Sequence, residues 1–559
     1  MYVLAAAFCY ASLLVVAPWS DAYLIHYGSF LLSRGELALK LHLLIFILPA
    51  TIFLSFGLAE ARPQQLVASF DGLGRCGRVR IAPILAALFV VGAVMAVRVY
   101  VLMGSVVTDD ENVYHFQARL LASGRFYAPS TPEAVRAFFD NQYVVNNGRW
   151  FGLYFLGHPA VLALALKVGL TQWVGAIEAA LIVLIAVGIA RRACNERVAM
   201  LAGVLLALSP FFIFVSATHL SQPTSTVFFA SFMYCALRIE QSPRTARWWL
   251  LAAAGLVGAV FTRPQISVLL CLPFLARITW LTVKGSMRPG WGTLAGTVAI
   301  LAAGAAGFFA VNHALTGSAL TTGYQAYMAA GHAWEFPLGP AYSVREISQN
   351  LAQLNFWLLG WPLSLAFVPF FERTPKTWML AAVPLVALSW YGVLGRPTVA
   401  AVGPVYYTET IVPLVILTAS GLERAVLFLR SHFGDALPTR AAIAAPVAGI
   451  LACLFAFVPF EVASLRLMAE ITRAPYDLVE ARGLNHAVVF VGRLPALNVS
   501  PGSWAYYHRN NSPDLDDPVL FVRDLGAERN KVLIKYLADR SPYWLGMTDG
   551  RLVLEPISR

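Results

Sequence analysis

Three consecutive acids, Asp109, Asp110 and Glu111, directly follow a long apolar run over residues 81–107. Carboxylates are costly to hold where a chain leaves a bilayer, and they are usually functional there. One of them is suited to take a proton from an attacking hydroxyl, while a neighbour orients it, raises its pKa or holds a divalent cation. The acids also suit a helix N-terminus capped by Thr108 or Asp109. The triplet therefore predicts a catalytic base and leaves open which acid it is and whether a metal ion takes part.

Other polar residues stand at the ends of apolar runs, where they could meet the same substrate. Arg263 lies between two such runs, and a guanidinium matches a phosphate group bidentately; a snorkelling arginine at a helix end is the alternative. His158 and His219 are interfacial histidines that either bind substrate or hold structure. Tyr407 and Glu409 are either part of an aromatic belt or line a cavity. We predict phosphate binding by Arg263 and substrate contacts by the other four.

The composition indicates a polytopic membrane protein. Of 559 residues, 58% are hydrophobic and 13% are charged, whereas soluble domains are about half apolar and about a quarter charged. The net charge of +11 comes from single basic residues scattered between apolar runs. Since no basic stripe interleaved with aromatic residues is present, nucleic-acid binding is not predicted. The sequence also has no Walker A loop, GxGxxG turn, HExxH helix or nucleophile elbow.

Apolar runs long enough to cross a bilayer recur along the chain. A span needs about 20 apolar residues, and this criterion gives about thirteen transmembrane helices. They are predicted at 1–19, 38–59, 81–106, 172–190, 198–216, 221–238, 248–262, 265–283, 292–312, 351–371, 377–394, 405–426 and 441–463. The predicted fold class is therefore an all-α polytopic membrane protein.

Every second loop between these runs carries arginine or lysine, as cytoplasmic loops do. This alternation places the N-terminus in the cytoplasm. It places 107–171, 313–350, 395–404 and everything after 463 outside, which in a cell with two membranes is the periplasm. We predict a multi-pass protein of the cytoplasmic (inner) membrane in which the acidic triplet lies on the outer side.

Three regions follow from this topology. Residues 1–80 form two spans and a basic cytoplasmic linker, 81–463 form the catalytic membrane domain with external loop 107–171, and 464–559 form a small external α/β domain. The C-terminal region is predicted to contain buried strands at 487–491 and 518–522, a helix at 528–538 and a final strand near 552–554.

Within loop 107–171, helical spacing is predicted from Asp110 to Ala122. A short helix is predicted at 133–139, and an interfacial helix at 154–168. The loop is therefore predicted to be folded.

Residues 105–425 resemble the GT-C superfamily of membrane glycosyltransferases, whose members have an acidic pair after an early span. The matching residues there are Asp110-Glu111, Tyr114, Gln117-Ala118 and 124–127 (GRFY). The nearest branch is glycosyltransferase family 39, with its protein O-mannosyltransferases and lipid A aminoarabinose transferases. Further similar segments follow in the same order, at 157–162 (GHPAVL), 216–223 (SATHLSQP), 262–264 (TRP) and 403–409 (GPVYYTE). This chain departs from the family pattern at His158, where a proline is common, and at Val405, where a basic residue is common.

The resemblance implies transfer of a sugar, with inversion, from a polyprenyl-phosphate donor to the hydroxyl of an acceptor glycan, lipid or protein at the outer membrane face. By position, Asp110 matches the family's catalytic acid and Glu111 its second member, while Asp109 is extra. The implied partners are the lipid-linked donor, membrane lipids and the acceptor, without nucleic acid. Two other functions are weighed against it: an O-antigen ligase or polymerase, and a flippase or transporter for a lipid-linked sugar. A ligase would concentrate its chemistry in a long late loop, and a transporter would need charges in mid-span.

Overall fold

The computed structural model describes residues 5, 43–74, 81–331, 340–394, 402–492, 509–549 and 551–558. Helices dominate these residues. The first nine α-helices in chain order are α1 (Leu48–Ala61), α2 (Pro63–Gly72), α3 (Ala82–Ala96), α4 (Asp109–Ala122), α5 (Glu133–Arg136), α6 (Gly157–Lys167), α7 (Val174–Ala193), α8 (Glu196–Ala207) and α9 (Pro210–Ala217). The next are α10 (Ser221–Gln241), α11 (Ala246–Thr262), α12 (Pro264–Val283), α13 (Trp291–Thr316), α14 (Gly323–Ala329), α15 (Pro340–Trp357), α16 (Pro375–Leu394), α17 (Ile411–Phe433), α18 (Leu437–Ala452), α19 (Val458–Ala481) and α20 (Ala527–Tyr536).

Eight helical stretches of the described residues are long and apolar enough to cross a membrane, or nine if the pair α8–α9, bent by 52°, forms one span. They are Leu43–Ala61, Ala82–Val101, Thr171–Ala193, Pro264–Val283, Trp291–Thr316, Pro375–Leu394, Val405–Phe433 and Leu437–Ala481. The outermost of these, α13, exposes apolar side chains such as Val298 and Phe309, as expected of a lipid-facing helix. The prediction of a polytopic helical membrane protein is confirmed.

The predicted spans differ from the observed helices in three places. The span 1–19 lies outside the described residues, apart from residue 5. Segments 221–238 and 248–262 are helical, but α10 carries too many polar residues, and α11 is too short, to meet the span criterion. Segment 351–371 is not one helix, because α15 ends at Trp357 and turns follow. Gly360 has a left-handed φ of 66°, and Pro362 cannot donate a helical hydrogen bond, so the helix cannot continue there.

The loop 107–171 is folded rather than extended. It contains α4, α5, α6 and a three-stranded sheet in the order β1 (Ala128–Pro129), β3 (Arg149–Gly152), β2 (Val144–Asn147), with antiparallel pairing throughout. The helices agree with the predictions to within a few residues, but the hairpin β2–β3 was not predicted. Gln117 of α4 binds this hairpin, since its side-chain oxygen accepts a hydrogen bond from the Gly152 amide at 2.9 Å.

The C-terminal region forms a four-stranded sheet in the order β5 (Val519–Arg523), β4 (Ala487–Val491), β6 (Ser541–Thr548), β7 (Arg551–Pro556). Strand β4 is parallel to β5 and β6, and β7 is antiparallel to β6. All five residues of β4 are buried, as expected of a central strand. The small α/β domain is confirmed, although β6 was not predicted and α19 extends unbroken past residue 464 to Ala481.

One hydrophobic core joins the loop to the C-terminal domain. Phe116 and Trp150 from the loop are buried in the same cluster as Phe490, Val522 and Leu533 from the domain. Burying one such side chain contributes about 1.5–3 kcal/mol, so the shared core holds the two segments firmly together. The backbone of Arg523 also donates a hydrogen bond to the Phe138 carbonyl at 2.9 Å. The two segments therefore lie on the same side of the membrane.

Candidate active site

Helix α4 begins at the acidic triplet with a capping box. Thr108 has extended dihedrals, and its hydroxyl accepts a hydrogen bond from the Glu111 amide. In return, Glu111 Oε2 accepts from the backbone amides of Val107 and Thr108 at 2.9 and 3.1 Å. This arrangement satisfies backbone donors that the first helical turn would otherwise leave unpaired. Thr108 is therefore the cap, and Glu111 is committed to the start of the helix.

Glu111 also joins α4 to the link between α9 and α10. Its second oxygen, Oε1, accepts a hydrogen bond from the His219 amide at 2.7 Å, and the side chain is fully buried. Because both oxygens hold backbone amides, the geometry assigns Glu111 a structural task.

Asp110 is the half-buried member of the triplet, and its Oδ1 accepts a hydrogen bond from the Tyr154 hydroxyl. Tyr154 precedes α6 and packs among other tyrosines, with ring centroids 4.8 Å from Tyr114, 5.8 Å from Tyr143 and 5.8 Å from Tyr324. A phenol in this position both orients the carboxylate and stabilises its charge. Asp110 is therefore a partly accessible carboxylate held in one orientation by an aromatic cluster.

Asp109 occupies a different environment. Its side chain is 7% exposed, and its Oδ1 has no hydrogen-bond partner. Burial raises the pKa of this carboxyl well above its usual range, and the nearby charge of Asp110 raises it further. Its electrostatic neighbours include Tyr143, Tyr327 and Tyr476 of α19. Asp109 therefore lies near α19. Tyr143 is within electrostatic range of both Asp109 and Asp110.

Arg263 lies at the break between α11 and α12. A residue before proline avoids helical dihedrals, and Arg263 has φ −146° and ψ 76°, with Pro264 opening α12. Its Nε is 3.2 Å from Glu409 Oε1, in an ion pair without hydrogen-bond alignment, and its Nη2 donates to the Tyr391 hydroxyl at 3.2 Å. The guanidinium also lies over the Tyr406 ring, 5.3 Å from its centroid. Arg263 is thus fixed by three partners, and Glu409 serves as its counter-ion.

Tyr114 lies within electrostatic range of both the carboxylate of Asp110 and the guanidinium of Arg263. Its ring is buried, and its hydroxyl donates to Ser221 Oγ at 2.9 Å. The N-terminus of α6 packs beside Arg263, since a Cβ at Gly157 would collide with the Thr262 side chain. The fold therefore brings the predicted base and the predicted phosphate-binding residue to one region.

The remaining predicted substrate-binding residues are buried. His158 contacts Thr224 Oγ1 and the His219 carbonyl with its two ring nitrogens, at 2.7 and 2.8 Å. The ring of His219 contacts His115 Nε2 at 2.8 Å. Tyr407 packs edge-on against Tyr391, with ring centroids 5.4 Å apart. For His158, His219, Tyr407 and Glu409, substrate contact stays a prediction.

The acidic triplet is not arranged to hold a divalent cation. Both side-chain oxygens of Glu111 already accept hydrogen bonds from backbone amides. In the described part of the chain, no group of three or more His, Cys, Asp or Glu side chains could hold a metal ion.

Two important partners were missed by sequence reasoning. Tyr154 was placed in an apolar segment, and no local pattern indicates its hydrogen bond to Asp110. Glu178 lies inside the predicted span 172–190, where an acid is itself a signal of function. Glu178 belongs to no recognisable sequence motif. In the structure it is buried and contacts Thr224 Oγ1 at 2.5 Å.

Comparison with known proteins gives one family match and several similar structures. Residues 156–310 match the family described as dolichyl-phosphate-mannose-protein mannosyltransferase. This range contains His158, His219 and Arg263, but not the acidic triplet or Glu409. No curated protein sequence matches the chain.

Among solved structures, ArnT from Cupriavidus metallidurans bound to undecaprenyl phosphate matches with a TM-score of 0.51 at 15% identity, over 85% of this chain and 98% of that chain. The Archaeoglobus fulgidus oligosaccharyltransferase in its apo form has a TM-score of 0.45 at 13% identity, over 84% of this chain and 65% of that chain. The ArnT match shows a shared fold, and with the family match it confirms the resemblance found in the sequence. The chain is a polytopic membrane protein that shares the fold of ArnT, and its residues 156–310 match the mannosyltransferase family.

Proposed function

We propose that this protein transfers a sugar from a polyprenyl-phosphate donor to a hydroxyl of an acceptor glycan, lipid or protein at the outer face of the cytoplasmic membrane. One observation carries the proposal: the half-buried carboxylate of Asp110 and the largely buried guanidinium of Arg263 both lie within electrostatic range of the same tyrosine, Tyr114. This pairing supplies a base for an acceptor hydroxyl and a cation for a phosphate leaving group.

The chemistry is a single displacement at the anomeric carbon. The acceptor oxygen attacks this carbon as Asp110 takes the hydroxyl proton, and a new glycosidic bond forms. The bond from the anomeric carbon to the phosphate oxygen breaks, and its electron pair leaves with the lipid phosphate. Arg263 stabilises the charge that develops on the phosphate, because its planar N–H groups match phosphate oxygens. Attack opposite to the leaving group inverts the anomeric configuration.

The ion pair with Glu409 keeps Arg263 in place before donor binds. A buried guanidinium without a counter-ion would be costly, and Glu409 is only 1% exposed. Since only Nε approaches Glu409 and one Nη2 proton approaches Tyr391, the guanidinium has further N–H groups with which to bind an anion. Arg263 therefore suits a donor phosphate without leaving its partners.

A lipid-linked donor agrees with the membrane architecture and with the relatives. A lipid-linked substrate diffuses within the bilayer, so it can reach a site at the membrane surface without leaving the membrane. The ArnT structure is described as bound to undecaprenyl phosphate, and the matched family is named for a dolichyl-phosphate sugar. We extend this donor class to the present chain.

The proposal keeps the three regions predicted from the sequence: N-terminal spans with a basic linker over 1–80, the catalytic membrane domain over 81–463 and the C-terminal domain over 464–559. The core shared by Phe116 and Phe490 supports placing loop 107–171 and this domain on one side, and the basic alternate loops support the outer side.

The test uses the purified full-length protein in lipid nanodiscs. Polyprenyl-phosphate hexoses and pentoses are incubated with it, together with glycan, lipid and peptide acceptors, and products are identified by mass spectrometry. We expect transfer by the wild type, loss of transfer in Asp110→Asn, and a large loss in Arg263→Lys, which retains charge but not the bidentate geometry.

The matched control for Arg263→Lys is Arg277→Lys, because Arg277 on α12 is also paired with a glutamate, Glu240 of α10, at 2.7 Å. This variant is expected to transfer sugar normally. Full activity of Asp110→Asn would contradict the assignment of the base. Movement of the glycolipid across the bilayer without any sugar transfer would contradict the proposed reaction and favour a flippase.

A further inference from the structure

A buried chain of hydrogen bonds runs from α7, a membrane span, towards the start of α4. Glu178 Oε1 lies 2.5 Å from Thr224 Oγ1, and Thr224 Oγ1 lies 2.7 Å from His158 Nδ1. The other ring nitrogen of His158 lies 2.8 Å from the His219 carbonyl oxygen. Glu178 is 7% exposed, and Thr224 and His158 are each 1% exposed. None of these three side chains takes part in the displacement described above.

The chain continues through the backbone of His219 to the catalytic helix. The His219 amide donates to Glu111 Oε1, and Glu111 Oε2 accepts from the Val107 and Thr108 amides that precede α4. Each contact in the series is of hydrogen-bond length. An acid inside a membrane span is thus joined, step by step, to the first turn of the helix that carries Asp110.

The hydrogen-bond pattern requires one proton that Glu178 and His158 share. His158 Nε2 faces a carbonyl oxygen, so it carries a proton. The single hydroxyl proton of Thr224 can serve only one neighbour. If Thr224 donates to an ionised Glu178, His158 Nδ1 must donate to Thr224, and the ring is an imidazolium. If Glu178 is protonated, Thr224 donates to Nδ1, and the ring is neutral. Both arrangements have the same net charge and leave no contact without a proton.

Close packing keeps the members of this chain in register. A Cβ at Gly175, one turn before Glu178, would overlap the Ser216 carbonyl oxygen, so α7 lies directly against the end of α9. Residues 218–220 then form the short link into α10, on which Thr224 lies. Because α7 and the end of α9 are in backbone contact, the adjoining His219 peptide has little room to shift. Its amide is held by Glu111 and its carbonyl by His158.

We propose that Glu178, Thr224 and His158 are positioning residues that set the geometry of Asp110. They act through the His219 backbone and Glu111, which fix the first turn of α4. The inference rests on the proposed function, because Asp110 is the base only in that reaction. Catalysis is sensitive to such placement, since a shift of about 1 Å at the reacting groups can cost about a hundredfold in rate.

The test removes the hydroxyl in the middle of the chain. Thr224→Val is expected to lower kcat for sugar transfer at least tenfold with little change in the KM for the lipid-linked donor, and Thr224→Ser is expected to restore most of kcat. Glu178→Gln should also be well tolerated, because its amide can donate to Thr224, whereas Glu178→Leu should behave like Thr224→Val. The matched control is Thr226→Val, since Thr226 is buried on the same helix and its hydroxyl donates only to the Gln222 carbonyl, at 2.8 Å.

A second measurement does not depend on activity. Hydrogen–deuterium exchange of peptides that cover residues 107–115 should be faster in Thr224→Val than in Thr226→Val or the wild type. Equal kcat and equal exchange in the two valine variants would overturn the inference, as would a Thr224→Ser variant that fails to recover. If the wild type transfers no sugar from any donor, the proposed function fails, and the exchange comparison still decides whether this chain positions α4.

Discussion

The Tyr154 hydroxyl donates a hydrogen bond to Asp110 Oδ1, and this contact joins the segment before α6 to helix α4, which carries the proposed base. The two residues are 44 positions apart in sequence. The contact exists because the loop between them folds back as a hairpin that Gln117 binds. It makes the orientation of the base depend on the fold of the whole loop.

Removing that hydroxyl should slow transfer without weakening donor binding. A hydrogen bond to a charged group contributes about 1.5–3 kcal/mol, and about 1.4 kcal/mol corresponds to a factor of ten in rate. We therefore expect Tyr154→Phe to lower kcat about tenfold or more, with the KM for the polyprenyl-phosphate donor unchanged. Steady-state kinetics in nanodiscs would measure both constants.

The control for that variant is Tyr100→Phe. Tyr100 is 72% exposed, on the stretch that ends the span Ala82–Val101, so the loss of its hydroxyl should leave kcat unchanged. A Tyr154→Phe variant as active as Tyr100→Phe would show that Asp110 needs no such partner.

Asp109 and Asp110 should respond in opposite ways to the same substitution. The pKa of Asp109 is raised by burial and by the charge of Asp110, so its contribution to stability is present at low pH and is lost as pH rises through its folded-state pKa. At neutral pH an uncharged residue should be better accommodated. We predict that Asp109→Asn raises the thermal unfolding temperature at pH 7 and retains transfer.

The pH dependence provides the check on this interpretation. The gain in stability of Asp109→Asn over the wild type should shrink as the pH is lowered towards 4, because Asp109 then becomes protonated in the folded and in the unfolded protein. Thermal unfolding of both proteins in the same detergent, across this pH range, would measure it. A gain that does not vary with pH would contradict the raised pKa, and loss of transfer in Asp109→Asn would make Asp109 part of the catalytic machinery.

The contact between loop 107–171 and the C-terminal domain should depend on its apolar core more than on its surface charges. Phe116 is 1% exposed in that core, and truncating a buried phenylalanine to alanine typically costs about 3–5 kcal/mol. Arg125 and Asp514 form an ion pair at 2.6 Å, but both side chains are exposed, and such pairs contribute about 0–1 kcal/mol. We expect Phe116→Ala to lower the unfolding temperature markedly and Arg125→Ala to lower it little. Similar unfolding temperatures for the two variants would contradict this.

Much of this architecture was predictable from local pattern. Apolar length alone located most of the spans, and the helical spacing after Thr108 located α4, with Thr108 and Asp109 as the two candidate caps. Strands were predicted at 487–491 and 518–522, because these are short apolar runs bounded by turn residues, and they are observed at 487–491 and 519–523. In each of these cases, the signal lies within one segment and does not depend on distant partners.

The parts that sequence reasoning missed depend on partners that are far apart in the chain. The Arg263–Glu409 pair links residues 146 positions apart, and the Glu178–Thr224 contact links residues 46 apart. The acidic triplet looked uniform, yet capping commits Glu111, burial isolates Asp109, and only Asp110 has a phenol partner and partial exposure. Local composition cannot distinguish these environments, because each is created by a different neighbouring element.

The orientation of the chain in the membrane is the prediction on which the outer-face reaction depends. Asp514 is exposed on the C-terminal domain, and Glu196 lies at the start of α8, in a loop with Arg191 and Arg197 that the positive-inside pattern places in the cytoplasm. We expect Asp514→Cys in intact cells to react with a membrane-impermeant maleimide, and Glu196→Cys to react only after permeabilisation. Of the described native cysteines, Cys235, Cys271 and Cys453 are buried and Cys194 is partly exposed, so the wild type supplies the background for both variants. Because one hydrophobic core joins α4 to the C-terminal domain, the side on which Asp514 reacts is also the side of Asp110. Reaction of Glu196→Cys in intact cells, with protection of Asp514→Cys, would place the base in the cytoplasm and contradict transfer at the outer face.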